Sequence, residues 1–377
     1  MSSPASPINP VMLRRYLNDR SLTPFISDLR LQNGSPPFVN MNRQWMPHPS
    51  LRDSLTEAEM SRFLAEAMQV DSEGDLRKAR PDSLDFSFDA TVGEQLYRFR
   101  GHESENYMGF AVDVRVLRAQ IDPLDGLGFP KGLAAALLEK REGIIVVGGP
   151  TGSGKSTTMA SLVREFCQIY PGSHVVSLED PVEYVFRFRD CMFSQKHVGT
   201  HVQTWEEGIF RAKREKPDLI VIGEMRTPET IRLAVEAAGS GHLVITTTFA
   251  DRVSRVFDAV MDAHSFQNSE GCRVLRHKLG GLVRGVICQM LVRREAQDGE
   301  YVLPELMYEA LVNDQQAIRS AIVNGSWARL DAECLAGSRS VSWQKRLGQL
   351  LEGSLISPST AEMLRCKFDD DSAVRMV

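Results

Sequence analysis

Hydrophobic residues in the second half of the chain fall into short continuous runs separated by segments with helical spacing. The apolar runs cover residues 144–147, 175–178, 219–222 and 243–246, with helical segments such as 157–166 and 228–238 between them. Short apolar strands that alternate with helices are typical of a parallel sheet covered on both faces. The pattern therefore predicts an α/β core, followed from Pro304 onward by mainly helical spacing, as in residues 315–323 and 343–351.

The first part of the chain has a different pattern. Residues 56–68 carry apolar side chains at helical spacing, whereas residues 84–88 and 95–99 alternate apolar with polar side chains, as strands with one buried face do. This pattern predicts a small α+β domain. Residues 121–130 are rich in turn formers and predict a link between that domain and the core.

These patterns divide a chain of 377 residues, which is long enough for two or three domains. The predicted regions are a disordered tail at 1–24, an N-terminal α+β domain at 25–118, an interdomain linker at 119–130, the core at 131–303 and a helical C-terminal region at 304–377. The first residues lack the basic start and apolar centre of a secretory signal. A membrane-spanning helix needs an apolar run of about 18 residues, and no run in this sequence is that long. We therefore expect a cytoplasmic protein.

Charge and cysteine content narrow the classes of function. The net charge of −5 and the isoelectric point near 6.0 argue against attraction of the whole surface to nucleic acid or anionic lipid, while local basic grooves stay open. The six cysteines lie far apart, without the close pairs that zinc sites or redox motifs need. We therefore expect reduced thiols.

The strongest functional signal is a glycine-rich segment at residues 149–156, which follows an apolar run and precedes a helical segment. It satisfies the pattern G-x-x-x-x-G-K-S, in which glycines let backbone amides turn toward phosphate oxygens at the positive end of a helix. Lys155 is expected to reach the β and γ phosphates, and Ser156 to offer its hydroxyl to Mg²⁺. The predicted nucleotide-binding residues are Gly149, Pro150, Thr151, Gly152, Ser153, Gly154, Lys155, Ser156 and Thr157. A glycine-rich turn that binds nothing is the alternative.

Acidic residues follow two of the apolar runs. Glu179 and Asp180 come directly after residues 175–178, and Glu224 follows residues 219–222 across Gly223. The carboxyl ends of parallel strands meet at one sheet edge, where ATP hydrolysis needs groups that hold Mg²⁺ and orient water. A Walker B strand usually ends in Asp, so Glu224 must supply the charge that Gly223 lacks. Acids that merely face solvent are the alternative.

Four ordered boxes resemble those of the secretion ATPase superfamily, which includes pilus retraction motors and type II and type IV secretion ATPases. Besides the phosphate loop, residues 175–184 resemble its Asp box, residues 219–230 its Walker B box and residues 237–244 its His box. Residues 27–29, 98–100 and 123–130 are similar to its first-domain opening, Arg-Phe-Arg strand and interdomain linker, and residues 317–319 to the Ala-Ile-Arg of retraction motors.

The resemblance implies an α/β fold in which a RecA-like P-loop ATPase core is joined to an N-terminal α+β, PAS-like domain and a helical C-terminal region. It implies that Glu179 activates water, that Glu224 acts on Mg²⁺ through its waters, and that His242 senses the γ-phosphate of ATP. A lone histidine is more often a satisfied core residue, so the role of His242 depends on its box.

The family assembles as hexameric rings in which arginines of the first domain approach the phosphates. Arg98, Arg100 and Arg115 lie on the matching strands, and an arginine that completes such a site contributes about 10³ to 10⁵ in rate. The alternative is that these arginines only solvate the outer face of a sheet.

Several positions depart from the family pattern. Phe249 stands where the second histidine of the His box is expected, residues 196–199 replace Arg-Glu-Val-Gly, and the arginine expected before Gly109 is missing. Lys-Pro-Asp at residues 216–218 resembles Dot/Icm-type and conjugative-plasmid ATPases. These changes leave Glu179 and Glu224 in place, so ATP hydrolysis is expected. The changes are expected to affect communication between the subunits of a ring. His197 and His201 have the spacing of a metal pair on a helix, but Gly199 favours a loop.

We therefore expect a Mg²⁺-dependent ATPase that works as a homohexamer and energises a type IV pilus or a type II/IV secretion or conjugative system. Its expected partners are inner-membrane platform or secretion-channel proteins, through which it associates with the membrane. A nucleic-acid translocase with the same core is one alternative, disfavoured by the acidic isoelectric point. A scaffold that binds ATP without hydrolysis is another, disfavoured by Glu179 and Glu224.

Overall fold

The computed structural model describes residues 16–17, 26–41, 44–68, 84–92, 95–107, 109–262, 269–295, 302–327, 329–330 and 339–373. The chain divides into two compact units. Unit 1 comprises Met1–Gln120 and Ala296–Leu303, and unit 2 comprises Ile121–Glu295 and Pro304–Val377. Each unit has its own apolar core.

In its described residues, unit 1 has a six-stranded antiparallel sheet and a helix at Glu57–Met68 that packs on it. Its elements are β1 (Ile26–Gln32), β2 (Phe38–Met41), β3 (Gln44–Pro47), α1 (Glu57–Met68), β4 (Leu84–Val92), β5 (Gln95–Asn106) and β6 (Gly109–Arg118). The strand order is β3-β2-β1-β6-β5-β4. Leu29, Phe99 and Val114 share one apolar cluster with Phe63 of α1. Side chains alternate between the two faces of a strand. Charged neighbours of these apolar residues, such as Arg30, Arg100 and Arg115, therefore lie on the face of the sheet opposite the core.

The predicted disordered tail is wrong at two of its residues, while the rest of residues 1–24 lies outside the described part of the chain. Tyr16 and Leu17 are fully buried in the core of unit 1. The Tyr16 ring packs edge-on against Phe63 with 6.4 Å between centroids, and its carbonyl oxygen lies 2.9 Å from Nε2 of His48. Leu13, Tyr16 and Leu17 have helical spacing in the sequence, a signal that the prediction of a disordered tail did not use.

Unit 2 is built on a seven-stranded sheet. In chain order its elements are α2 (Leu133–Leu137), β7 (Gly143–Gly148), α3 (Lys155–Ile169), β8 (His174–Glu179), β9 (Met192–His197), α4 (Trp205–Arg214), β10 (Leu219–Ile222), α5 (Pro228–Gly239), β11 (Leu243–Thr248), α6 (Val253–Asp262), α7 (Ser269–Leu282), β12 (Val283–Val292), β13 (Glu305–Val312), α8 (Gln316–Asn324), α9 (Trp343–Glu352) and α10 (Pro358–Ala373). The strand order is β13-β12-β7-β11-β10-β8-β9, and β12 with β13 is the antiparallel pair.

The four predicted core strands are present and adjacent, as β7, β11, β10 and β8. Alternate residues of β7 enter opposite apolar layers: Ile144 and Val146 pack into one, Ile145 and Val147 into the other. The sheet is therefore covered on both faces, as the continuous apolar runs predict. None of the helices in the described ranges combines the length and the apolar character that crossing a membrane requires.

Three strands of this sheet were not predicted. The sequence of β9 is polar, and polar residues or glycine interrupt the apolar run of β12, so neither shows a continuous strand pattern. The prediction that the region from Pro304 onward is helical is wrong at its start, because β13 lies there as the edge strand beside β12. Pairing with β12 decides this, which local spacing does not show.

The segment of the predicted linker packs onto unit 2. Ile121, Leu124 and Phe129 are buried in the apolar layer that also contains α3. Glu165 of α3 accepts a hydrogen bond from the Leu124 amide at 3.1 Å, and Ser161 donates one to the Asp122 carbonyl at 2.7 Å. The helix that starts at the glycine-rich loop therefore holds the first residues of unit 2 along its length.

Candidate active site

The glycine-rich loop connects the carboxyl end of β7 to the amino end of α3, as predicted. Gly149 has a φ of +145°, and a Cβ built there would lie 2.2 Å from the Gln289 carbonyl oxygen, so no side chain fits. Gly154 is the N-cap of α3 at φ +85°, and no side chain caps its backbone amides. The first amides of the helix thus stay available to an anion at the positive end of its dipole.

A buried serine inside the loop, Ser153, has a hydroxyl group that could donate a hydrogen bond to a bound phosphate. Ser153 is 2% exposed, and among the described residues nothing lies within hydrogen-bond reach of its Oγ. Its carbonyl oxygen accepts a hydrogen bond from Nε2 of Gln289 at 2.7 Å, while Oε1 of Gln289 accepts one from Thr158 at 2.8 Å. A buried hydroxyl without a partner costs free energy, and phosphate oxygens supply the missing acceptor.

Lys155 lies folded over its own loop. Its Nζ donates to the carbonyl oxygens of Gly149 and Pro150 at 2.7 and 3.1 Å and lies 4.7 Å from the ring centroid of Phe249. Burial lowers the pKa of Lys155, and the negative charge of Glu224 partly opposes this shift. Carbonyl oxygens and a ring are weak partners for an ammonium group, so anionic phosphate oxygens would replace them favourably.

Glu179 is the last residue of β8 and is buried. Its Oε1 accepts hydrogen bonds from Oγ of Ser177 at 2.7 Å and from Nε2 of Gln195 at 3.4 Å. Burial raises the pKa of Glu179 to about 7, although both hydrogen bonds lower it, and the charge of Glu183 raises it further. A carboxylate with a pKa near neutrality suits the role of a base that takes a proton from water.

Glu224 follows β10 across Gly223. Its Oε1 accepts a hydrogen bond from Nε of Arg226 at 2.5 Å. The Gly223 carbonyl oxygen accepts one from the hydroxyl of Thr247 at 2.6 Å, and a Cβ on Gly223 would lie 3.2 Å from the Cα of Glu179. The ends of β8, β10 and β11 are therefore packed closely enough to bring both glutamates to the sheet edge where the phosphate loop lies.

Ser156 and Glu224 are suitable residues for Mg²⁺. A hydroxyl and a carboxylate are the oxygen donors that this ion prefers, and it usually takes one or two carboxylates together with phosphates and waters. Within the described ranges, no group of three or more His, Cys, Asp and Glu side chains is arranged to hold a metal by itself. A metal held largely by phosphate and water agrees with this donor set.

His197 and His201 do not form a helical pair. His197 ends β9, and its backbone amide donates to Nδ1 of His201 at 2.9 Å within a turn. Its Nε2 lies 3.4 Å from a carboxylate oxygen of Asp180. The loop interpretation therefore agrees with the structure.

His242 lies away from the phosphate loop of its own chain, and its predicted role in sensing a γ-phosphate stays a prediction. His242 precedes β11, and its carbonyl oxygen accepts a hydrogen bond from the amide of Gly143, where the parallel strand β7 begins. The phosphate loop starts at the other end of β7, about 20 Å away for six residues of extended chain. Nδ1 of His242 instead lies 3.2 Å from Oγ of Ser240 and 3.3 Å from the Ala237 carbonyl oxygen. The His box motif did not reveal whether His242 lies at the amino or at the carboxyl ends of the parallel strands.

The three arginines of unit 1 lie on the polar face of its sheet. Nη1 of Arg98 lies 3.0 Å from a carboxylate oxygen of Asp89, and Nε of Arg115 lies 3.1 Å from one of Asp28. Arg100 pairs with Arg115 in the β5–β6 register and forms no ion pair with the described residues. Two of the three thus fit the interpretation as a solvated face, and the approach of any of them to a phosphate stays a prediction.

The site contains residues that the sequence analysis did not assign to it. Glu183 acts electrostatically on both Lys155 and Glu179, and the hydroxyl of Tyr184 lies 2.8 Å from Oγ1 of Thr157. Gln289 is a buried polar residue in a mainly apolar strand. A polar residue in such a run is unusual, and this was the sequence signal that could have assigned Gln289 to the site. Phe249 and Arg226 also reach the site: Cζ of Arg226 lies 5.3 Å from the Phe249 ring centroid.

A phosphate loop and two strand-end carboxylates share the carboxyl ends of the parallel strands, an arrangement typical of P-loop ATPases. A comparison with protein-family models matches residues 48–327 to the type II/IV secretion system protein family. The match covers more than half of the chain, and the chain therefore belongs to this family of secretion and pilus ATPases.

Individual proteins support this assignment. The type IV pilus retraction ATPase PilT of Pseudomonas aeruginosa is 30% identical over 270 residues, 71% of this chain and 74% of the relative. A crystal structure of the pilus retraction motor PilT with bound ADP superposes with a TM-score of 0.73 at 29% identity, covering 90% of this chain and 93% of that one. The structure of the ATPase DotB of Legionella pneumophila, at 21% identity, covers 97% and 98% with a TM-score of 0.76 and shows the same fold. The predicted α/β fold with a RecA-like core is confirmed.

Proposed function

We propose that this chain is the ATP-driven motor of a type IV pilus or of a type II/IV secretion or conjugative system, and that it works as a homohexamer. The observation that carries the proposal is the shared edge of Lys155, Glu179 and Glu224 in a chain of the type II/IV secretion family. The motor works on the cytoplasmic side of the inner membrane, where platform or channel proteins hold it.

The hydrolytic site works through residues of one sheet edge. The amides at the start of α3 and Lys155 bind the phosphates, replacing the loop carbonyls that Lys155 now contacts. Ser156 and, through water, Glu224 would hold Mg²⁺, which would supply positive charge opposite the phosphates. The carboxylate of Glu179 orients the attacking water and accepts its proton, and the pKa near 7 suits that transfer.

Movement follows from the position of α3 between the phosphates and the first residues of unit 2. The amino end of α3 holds the phosphates, while Ser161, Arg164 and Glu165 of the same helix hold the backbone of Ile121, Asp122 and Leu124. A change of the bound phosphates that shifts α3 therefore also shifts the segment where unit 2 begins. We assign residues 119–130 to this coupling.

Arg100 is the arginine of unit 1 that we assign to the phosphates of a neighbouring copy in the ring. Arg98 and Arg115 are held by aspartates, so their guanidinium groups would first have to leave those partners. Arg100 has no such partner in the described residues and is repelled by Arg115 on the adjacent strand. An anion from another copy would relieve this repulsion.

The test compares ATP turnover of the wild type with that of Lys155→Ala and Glu224→Gln, while light scattering follows particle mass. Turnover is expected to fall about 10²-fold for Lys155→Ala, because a charge-assisted contact worth roughly 3 kcal/mol is lost. The matched control is Lys140→Ala, an exposed lysine of the same unit, which should keep wild-type turnover. Equal turnover in all variants would show that the site assignment is wrong.

Single-stranded DNA is added in a parallel series. A motor for pilus or secretion proteins should keep its turnover within about twofold, whereas a strong, salt-sensitive stimulation by DNA would favour a translocase instead. ATP binding without any turnover in the wild type would favour the scaffold. A particle mass of one chain with ATP present would contradict the ring.

A further inference from the structure

We propose that Arg252 is a positioning residue for ATP hydrolysis, which anchors the loop of residues 249–252 to the C-terminal helices α9 and α10 and thereby holds Phe249 against Lys155. The proposal rests on the proposed ATP hydrolysis. It assigns to the C-terminal helices a role in the geometry of the phosphate site.

One end of this loop touches the phosphate site. Phe249 comes directly after β11, and its ring lies 4.7 Å from Nζ of Lys155 and 5.3 Å from Cζ of Arg226. The next residue lies against the start of the phosphate loop, since a Cβ on Gly148 would lie 2.3 Å from the carbonyl oxygen of Ala250. A displacement of the loop by even an ångström would therefore move groups that contact Lys155.

The other end of the loop is fixed by a buried ion pair. Arg252 and Glu309 are both almost fully buried, and Nε of Arg252 lies 3.3 Å from Oε1 of Glu309. The same oxygen accepts a hydrogen bond at 2.6 Å from the amide of Val253, the first residue of α6. Breaking a buried pair leaves a charge without compensation, so this contact resists displacement. Glu309 lies on β13 and ties the loop to the sheet.

The guanidinium of Arg252 also holds the C-terminal helices. Its Nη1 donates to the Phe368 carbonyl oxygen at 3.2 Å, and its Cζ lies 5.2 Å from the Phe368 ring and 5.9 Å from the Trp343 ring. The two rings stack on each other with 5.0 Å between centroids. Arg252 is therefore the residue at which α9, α10, β13 and the loop meet.

Two residues, Ala250 and Asp251, separate Phe249 from Arg252, and both ends of the segment are packed. Because the segment is so short, a displacement of Arg252 also displaces Phe249. Movement of α9 or α10, or their engagement by another protein, would then change how Phe249 covers Lys155. In this arrangement the phosphate site is sensitive to helices that contribute no residue to it.

The test uses the full chain and a variant in which the buried charges are removed together, Arg252→Met with Glu309→Gln. The glutamine keeps an acceptor for the Val253 amide, so no buried charge stays unpaired. Arg346→Met is the matched control. Arg346 is also a nearly buried arginine that stacks on a ring, Tyr308 at 5.2 Å, but it binds the Leu306 carbonyl oxygen and not the loop.

Thermal melts first identify a temperature at which all variants are folded, and kcat, KM and the Kd of a fluorescent ATP analogue are measured there. The double variant is expected to lower kcat/KM at least tenfold and to raise Kd at least threefold. Arg346→Met should change neither more than twofold. Arg252→Lys, which keeps the charge but loses the planar fork, should fall between the wild type and the double variant.

Equal kinetics and equal Kd in the double variant and in Arg346→Met would overturn the positioning role. If the wild type binds the analogue but has no turnover, the proposed hydrolysis fails, and the Kd series alone decides the role of Arg252. A fall in activity shared equally by both arginine variants would show a general loss of packing and would also overturn the proposal.

Discussion

Ser153, Lys155 and Glu179 at the carboxyl ends of the parallel strands differ from Asp218 at their amino ends in how their polar atoms are satisfied. At the carboxyl edge, the Ser153 hydroxyl has no partner in the described residues, Lys155 contacts only loop carbonyls and an aromatic ring, and the pKa of Glu179 is raised to about 7 by burial. At the amino edge, Asp218 accepts hydrogen bonds from Nη2 of Arg141 at 2.6 Å and from the His174 amide at 2.9 Å.

The contrast separates residues that are suited to binding a ligand from a residue, Asp218, that stabilises the folded chain. Polar groups that are satisfied within the chain lower the free energy of the folded state, whereas unsatisfied ones cost free energy until a ligand arrives. Substitutions at the carboxyl edge should therefore remove activity at little or no cost in stability. Substitution of Asp218 at the amino edge should do the reverse.

Glu179→Gln should show this rule most clearly, because it should lower activity and raise stability together. Turnover should fall about 10² to 10⁴-fold with the loss of the base. The folded-state pKa lies above the unfolded value of 4.5, so the folded chain binds the proton more tightly, and wild-type stability falls as pH rises from about 4.5 to 7. At pH 8 the variant should gain up to about 3 kcal/mol, and at pH 4.5 almost none.

Urea unfolding at the two pH values measures this gain. Glu352→Gln, an exposed glutamate on α9, is the control and should change neither activity nor the pH dependence of stability. A loss of stability in Glu179→Gln at pH 8 would mean that the Glu179 carboxylate stabilises the fold, contrary to its burial.

The pH dependence of wild-type turnover sharpens the same point. With the pKa of Glu179 at about 7, the ionised fraction and hence kcat should fall about tenfold between pH 8 and pH 6. Ser177→Ala removes a hydrogen bond that lowers this pKa, so the acid limb should move to higher pH. An acid limb that stays in place in Ser177→Ala would assign the titration to another group.

Asp218→Asn tests the amino edge. It should cost about 1 kcal/mol of stability, because an exposed ion pair with Arg141 and a charge-assisted bond to the His174 amide are weakened. Turnover should stay within twofold of the wild type at a temperature where both are folded. Asp190→Asn, at an exposed aspartate of the same unit, should leave both unchanged. A tenfold loss of turnover in Asp218→Asn without unfolding would contradict the division between the edges.

His242→Ala should have the smallest effect. Among the described residues its ring has hydrogen-bond partners only in Ser240 and Ala237, so kcat and KM should change less than twofold and stability by less than about 0.5 kcal/mol. Titration of turnover against ATP concentration checks this. A large rise in KM that appears only in the assembled ring would instead place His242 at the phosphate of a neighbouring copy.

Local patterns were sufficient for much of the fold and part of the site. The apolar runs predicted β7, β8, β10 and β11, because strands buried on both faces need continuous apolar sequence. The glycines around Lys155 predicted the phosphate loop for an equally local reason. A loop that approaches Gln289 within contact distance has no room for a Cβ.

Long-range pairing decided the rest. Strand β13 lies at the edge of the sheet because it pairs with β12, and the sequence around it had suggested helices. The residues that surround the phosphate loop, among them Glu183, Phe249 and Gln289, come from separate elements with no shared spacing. Neither pattern nor motif places such residues, since their contacts depend on how whole strands and loops pack.

The sequence by itself determined that a nucleotide-phosphate loop follows a buried strand and that two acids end neighbouring strands. Only the tertiary structure decided that His242 lies at the opposite edge, that Glu179 is buried enough for its pKa to reach about 7, and that Arg252 links Phe249 to the C-terminal helices. The physical reason is that motifs encode local backbone geometry. Strand direction, burial and contacts between distant segments are properties of the packed chain.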